Sequence, residues 1–196
     1  MENKQDNELA FWKTLYSSKD DYFAFRRIDG FSKMKHFDKL IDRKGIGIDV
    51  GCGLVSVFSG LKNKVVAIDP LLSEYSKIVA DNSDNVKYIG ASGEEIPFCD
   101  GFFDYAFCVN VIDHTPNPDK MANEIKRVVK DGGLIYFEVN FDDMLSPCHY
   151  ALWNKELVNK YFGDLKLKHE VLERNEADKQ YLYHAIYENI STNTNI

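Results

Sequence analysis

From Lys44 to Glu188 the chain switches back and forth between short β-rich runs and stripes of helical period. The runs are IGIDV (46–50), KVVAI (64–68), VKYI (86–89), YAFCV (105–109) and LIYFEV (134–139). The helical stretches between them fall at 54–62, 72–82 and 118–130. The third is the clearest: Asn117 suits the N-cap, Pro118 the first helical position, and Asp131-Gly132-Gly133 follows its apolar stripe of Met121, Ile125, Val128 and Val129. Such alternation specifies an α/β fold, a doubly wound parallel sheet with helices on both faces. After Val139 the pattern changes to a Pro-containing loop, a helix capped by Asn154 with Trp153 placed to staple on Val158, and two strand-like runs at 164–173 and 180–188. Their short charged link makes the last two pair antiparallel. The expected sheet has seven strands, mostly parallel, with an antiparallel edge strand.

A chain of 196 residues has the size of one domain. Residues 44–190 form the expected domain, 1–43 an amphipathic, aromatic and basic segment lying on the core as a helical lid, and 191–196 a disordered tail. The net charge of −7 argues against nucleic acid held through its phosphates and favours a small-molecule acceptor. The N-terminal MENKQDNELAFWK has charges where a leader peptide needs an apolar core, and no run reaches membrane-spanning length. The expectation is a soluble, cytoplasmic protein without a membrane partner. The four cysteines form no C-x-x-C pair and have no His at zinc spacing, so no metal site is expected. The sequence carries no signal for oligomeric state.

The first strand ends in DVGCG, and two glycines at the edge of a buried strand cost backbone entropy while adding no packing. Either the turn is tight or a ligand approaches the main chain. In an open α/β sheet ligands sit beyond the carboxyl ends of the strands, where the strand order reverses, and a following helix offers free N–H groups. Asp69 closes the second strand twenty residues after Asp49, where an acceptor-only carboxylate holds the two hydroxyls of a ribose. An adenosine-type cofactor is therefore expected. A dinucleotide fingerprint needs a glycine at position 56, where this chain has Ser56, and that counts against a nicotinamide-dependent oxidoreductase.

DVGCG followed by VVAIDP, with the downstream stretch from VKYIGASGEEIPF to GGLIYFEVN, resembles the class I S-adenosylmethionine-dependent methyltransferase family over residues 45–140. The resemblance implies a Rossmann-like fold, S-adenosyl-L-methionine as cofactor and S-adenosyl-L-homocysteine as product. It assigns Asp49 to the acidic residue opening the first motif and Gly51, Cys52 and Gly53 to the approach of the methionine portion. Asp69 and Pro70 fall at the ribose, Ser92, Gly93 and Glu94 at the adenine, and Asn110 and Val111 beside the sulfonium methyl. The family usually has a third glycine where Val55 stands and an Asp where Ser92 stands, which motivates an alternative: a cofactor-binding but inactive partner of another methyltransferase.

An acceptor hydroxyl must lose a proton. His114 in NVIDHT follows the fourth strand on the cofactor side and titrates near working pH, so it is the candidate base, with adjacent Asp113 sharing the role or orienting the ring. Tyr16, Tyr22 and Arg26 of the lid, and His149 and Tyr150 of the loop after the fifth strand, are the candidate acceptor-binding residues. The layout of residues 139–162 is similar to methyltransferases of sugars and surface-glycan precursors. It points to a small polar acceptor, a hydroxyl on a sugar that is free, phosphorylated or nucleotide-linked.

Overall fold

The structure is a computed structural model that describes residues 4–15, 37, 45–78, 83–174 and 180–190. Seven strands form one sheet in the order β3-β2-β1-β4-β5-β7-β6: β1 (Ile46–Val50), β2 (Lys64–Asp69), β3 (Val86–Gly90), β4 (Phe103–Val109), β5 (Val129–Phe141), β6 (Lys166–Arg174) and β7 (Tyr181–Glu188). Strands β1 to β5 are parallel, and β7 runs antiparallel to both β5 and β6, giving the expected antiparallel edge. The order reverses between β1 and β4, where Val50 pairs with both Ile68 and Cys108. A crevice opens beyond the carboxyl ends of strands at such a reversal.

Alternation along each strand divides the core in two. Ile48, Val50, Cys108, Ile135 and Phe137 face α3 (Pro118–Val128) and α4 (Lys155–Phe162), which contribute Met121, Ile125, Val158 and Phe162. Tyr105, Phe107 and Tyr136 face the other way, against Phe37, Val57 and Phe58, with Phe107 stacked on Tyr136 at 4.8 Å. Asn117 and Asn154 cap α3 and α4 by accepting from Lys120 N and Leu157 N. Trp153 is buried against Phe137 and Tyr161, in the same core as Val158.

The three helical stretches differ from expectation, and β4 and β5 begin earlier than the runs at 105–109 and 134–139. The helix expected at 118–130 ends at Val128, because Val129 turns extended to pair with Phe103 before the glycines are reached. Of the helix expected at 72–82 the described residues contain one turn, α2 (Leu72–Tyr75), and 79–82 lie outside them. No helix forms over 54–62, which is a run of tight turns. Ser56 commits its N–H to Tyr88 Oη and its hydroxyl to Asp49, and Gly60 is left-handed at φ 75°, so the backbone bonds a helix needs are spent or broken.

The remaining helix, α1 (Lys4–Leu15), lies across the carboxyl ends of the strands, with Leu9 and Trp12 packed on Leu54, Val55 and Tyr75. No helix among the described residues is long and apolar enough to cross a membrane.

Candidate functional site

Beyond β1 the chain turns through Gly51 at φ 69° and Gly53 at φ 62°, the left-handed region that glycine enters without penalty. A Cβ on Gly51 would sit 2.0 Å from Val111 Cγ2, so this turn both needs the torsion and brings the main chain close to the end of β4. Its N–H groups are occupied. Gly51 and Cys52 donate to Ile68 O, and Gly53 donates to Asp69 Oδ2 at 3.0 Å. Because 54–62 is not helical, the helix N-terminus expected after the glycines is absent there, and the turn presents bare Cα surface to the crevice rather than free donors.

The crevice is a cavity of about 370 Å³, within the usual range for a small-molecule site. Ten of the eleven residues assigned to the cofactor line it: Gly51, Cys52, Gly53, Asp69, Pro70, Ser92, Gly93, Glu94, Asn110 and Val111. Asp49 does not. It is buried beneath the turn and accepts from Ser56 Oγ at 2.6 Å, so it supports the glycine turn from below. Gly93 leaves room that a Cβ would take from Met121 and Val50. Glu94 turns its carboxylate to Thr115 Oγ1 and Asn117 N, tying the loop after β3 to the start of α3.

Two wall residues fit an adenosine and amino-acid ligand. Asp69 accepts backbone N–H groups from Gly53 and Leu71 and is 7% exposed. Burial raises its carboxyl to about 6, the two backbone donors work against that rise, and Glu8 and Asp49 add to it. Each oxygen keeps a lone pair for a hydroxyl donor. Asn110, at φ 47°, buries an Oδ1 that accepts no hydrogen bond among the described residues, as an acceptor awaiting a ligand N–H would.

The roof of the cavity is α1, through Lys4, Gln5, Glu8, Phe11 and Trp12. A lid was expected here, but contrary to the expected amphipathic pattern KQDNELAFWKTL has no marked apolar stripe, and none of these five residues was a site candidate. Glu8 Oε2 stands 3.0 Å from His114 Nδ1 as an ion pair rather than a directed hydrogen bond, and Glu8 Oε1 accepts from Trp12 Nε1 at 2.6 Å. Burial favours the neutral form of Glu8, but its contacts with His114 and Trp12 outweigh burial and hold its carboxyl below the usual range. Burial likewise opposes the charged His114, and Glu8, Asp113 and Asp69 together overcome it and raise the imidazole.

The candidate catalytic and acceptor-binding residues are only partly brought together. His114 is on the cavity wall, at the end of a 3-10 turn (Ile112–His114). Asp113 is buried off the wall, with Oδ1 3.8 Å from His114 Nε2, so the carboxylate paired with the His114 ring at close range is Glu8 and not its neighbour. His149 and Tyr150 are not on the wall either. His149 lies behind His114, with ring centres 4.6 Å apart, and gives its carbonyl to Lys4 Nζ, while Tyr150 is half-exposed under the Lys4 ammonium. Cys148 occupies the wall position expected for these two. Tyr16, Tyr22 and Arg26 fall outside the described residues.

Comparison with known proteins agrees with this architecture. The methyltransferase-domain family matches residues 48–137. A sterol 4-C-methyltransferase of Caenorhabditis elegans is 33% identical over 119 residues, covering 56% of this chain and 34% of that protein. An uncharacterized protein of Methanocaldococcus jannaschii is 37% identical over 121 residues, covering 62% and 56%. A tRNA U34 carboxymethyltransferase of Campylobacter curvus is 26% identical over 160 residues, covering 78% and 53%. The chain thus spans between about a third and just over half of these relatives. Among solved structures, an S-adenosylmethionine-dependent methyltransferase of Aquifex aeolicus superposes with a TM-score of 0.67 at 19% identity, over 93% of this chain and 98% of that one. A Burkholderia thailandensis 1,6-didemethyltoxoflavin-N1-methyltransferase, solved with its substrate and S-adenosylhomocysteine, gives 0.66 at 14% identity, over 97% and 92%.

Proposed function

We propose that this chain, whose residues 48–137 belong to the class I S-adenosylmethionine-dependent methyltransferase family, transfers a methyl group to a small polar acceptor in the cavity beneath α1. The observation that carries the reading is the convergence on one cavity of Gly51 and Gly53, the buried Asp69 carboxylate and the unengaged Asn110 Oδ1. Bound there, S-adenosylmethionine supplies a methyl already activated by the sulfonium.

The protein's own work is then to hold, align and dry the reactants, and alignment supplies up to about 7–11 kcal/mol. Asp69 holds the ribose hydroxyls, Asn110 accepts from an amino group, and Trp12 with Phe11 closes the site to water. An acceptor hydroxyl gives up its proton to the cluster around His114, where Glu8 and Asp113 stabilise added positive charge. Four of the polar wall residues, Lys4, Gln5 and Glu8 of α1 and His114 beside Glu8, suit a hydroxylated acceptor such as a sugar or surface-glycan precursor.

A second reading is a cofactor-binding but inactive partner subunit. It draws on Val55, buried where the family has glycine, and on the missing helix over 54–62. Calorimetry with S-adenosylhomocysteine on the full chain tests the shared premise: absence of binding ends both readings. Radiolabelled methyl transfer from S-adenosylmethionine to a panel of sugars, sugar phosphates and nucleotide sugars divides them, since binding with no transfer favours the partner role.

A further inference from the structure

We propose that Asp113, His114 and His149 bind one divalent transition-metal ion at the margin of the cavity, with Glu8 and Asp142 as the outer carboxylates of the two imidazoles. Among the described residues these three form the one cluster with metal-ligand chemistry, and a ligand atom from each lies within 4.8 Å of the other two.

The two histidines are arranged alike. Nδ1 of His114 faces Glu8 Oε2 at 3.0 Å, and Nδ1 of His149 faces Asp142 Oδ2 at 3.4 Å. Both Nε2 atoms point to the same carboxylate: His114 Nε2 is 3.8 Å from Asp113 Oδ1, and His149 Nε2 is 3.4 Å from Asp113 Oδ2. A carboxylate facing one ring nitrogen favours the tautomer that leaves the far nitrogen's lone pair for a metal. The inner separations are long for hydrogen bonds; the 3.4 Å one matches the spacing of neighbouring ligands on a tetrahedral ion with bonds of about 2.1 Å, and the other two ligand-atom spacings, within 4.8 Å, need a small inward shift to share it. Asp113 Oδ1 is fully buried with no hydrogen-bond partner among the described residues, a cost that coordination removes.

Charge points the same way. Three carboxylates, Glu8, Asp113 and Asp142, stand around the two imidazoles, with the Lys4 ammonium on the His149 carbonyl the nearby cation, and this acidic surrounding favours a bound cation. Two imidazoles and one carboxylate suit Zn²⁺, Fe²⁺ or Co²⁺ better than Mg²⁺ or Ca²⁺. The expectation of no metal came from cysteine spacing, whereas these ligands come from two loops that meet where Tyr150 N donates to Asp113 O at 2.7 Å. His114 alone of the three reaches the cavity wall, so an open coordination position would face the cavity beside it. A hydroxyl on such an ion loses its proton near neutral pH. That consequence rests on the methyl-transfer reading, but metal binding does not.

Calorimetric titration of the full chain with ZnCl2, and the visible spectrum after adding CoCl2, test the site without any assay of activity. The expected results are one ion per chain, a Co²⁺ spectrum with no sulfur charge-transfer band, and loss of both signals in His149→Ala. Asp142→Asn should weaken binding by about 10–100-fold. Circular dichroism screens the variants, and His149→Gln, which keeps the bulk, replaces the alanine if that one fails to fold. No binding by the parent chain, binding that survives loss of the His149 imidazole, or a thiolate band from Cys148 would each overturn the assignment. None of these would touch the cofactor reading, which calorimetry with S-adenosylhomocysteine decides separately.

Discussion

Ser56 Oγ donates to Asp49 Oδ2 at 2.6 Å beneath the glycine turn, both residues being buried. Removing a partner from a buried carboxylate costs about 1–3 kcal/mol. Ser56→Ala should destabilise the fold by that amount in urea unfolding and loosen the turn above it. A midpoint equal to that of the parent chain would show that the bond contributes nothing.

Gly51 and Gly132 share a positive φ but differ in their surroundings. A Cβ at Gly51 meets Val111 at 2.0 Å, whereas one at Gly132 meets nothing within 4 Å among the described residues. Gly132→Ala should therefore cost only the torsional penalty, about 1 kcal/mol, and leave cofactor affinity intact. Gly51→Ala adds a clash that shifts Val111, so its cost should exceed about 3 kcal/mol and binding of S-adenosylhomocysteine should be lost. Equal effects from the two substitutions would contradict the placement of Val111.

With Asp69 at the ribose as proposed, binding should depend on pH. Its folded value of about 6 lies above the ordinary 3.8, so the proton favours the folded state. That stabilisation is complete below the ordinary value and lost as pH rises through about 6. Above about pH 6 the buried carboxylate is ionised and gains from hydroxyl donors, so affinity for S-adenosylhomocysteine should fall as pH drops from about 7.5 to about 5. In Asp69→Asn the slope should flatten and affinity at the higher pH should drop at least about tenfold, the scale of a hydrogen bond to a charged group. Calorimetry at the two pH values reads both. A parent affinity that does not change with pH would remove Asp69 from the ribose.

The two tryptophans, Trp12 and Trp153, report different regions. Trp12 lines the roof, and its ring is what a Cβ on Gly53 would meet at 3.6 Å, while Trp153 is enclosed by Phe137 and Tyr161. Binding of S-adenosylhomocysteine should change tryptophan fluorescence in the parent and in Trp153→Phe, but not in Trp12→Phe. A change that persists without Trp12 would place the ligand away from α1.

The sheet and the floor of the site were legible in the sequence because both are written locally. Short β-branched runs ending in Asp49 and Asp69, with glycines at 51 and 53, fix strand ends and a turn within a few residues of one another. The turns at 54–62 were misread as helix because Val55, Ser56 and Val57 look helical only until Ser56 finds Asp49 and Tyr88, partners remote in sequence. The roof and the histidine cluster were hidden for the same reason. Glu8, Asp142 and His149 reach His114 and Asp113 through the meeting of three segments, and no spacing along the chain encodes that.

On the proposed reading the contacts of α1 would act as a latch. Glu8 on His114, Trp12 over the glycine turn, and Lys4 on His149 must all part before a nucleoside can enter from that side. If the chain transfers methyl groups as proposed, the same three fastenings would have to release again for the spent cofactor to leave by that route, so turnover would be paced by how often the helix lifts, and trimming it should exchange tight retention for speed.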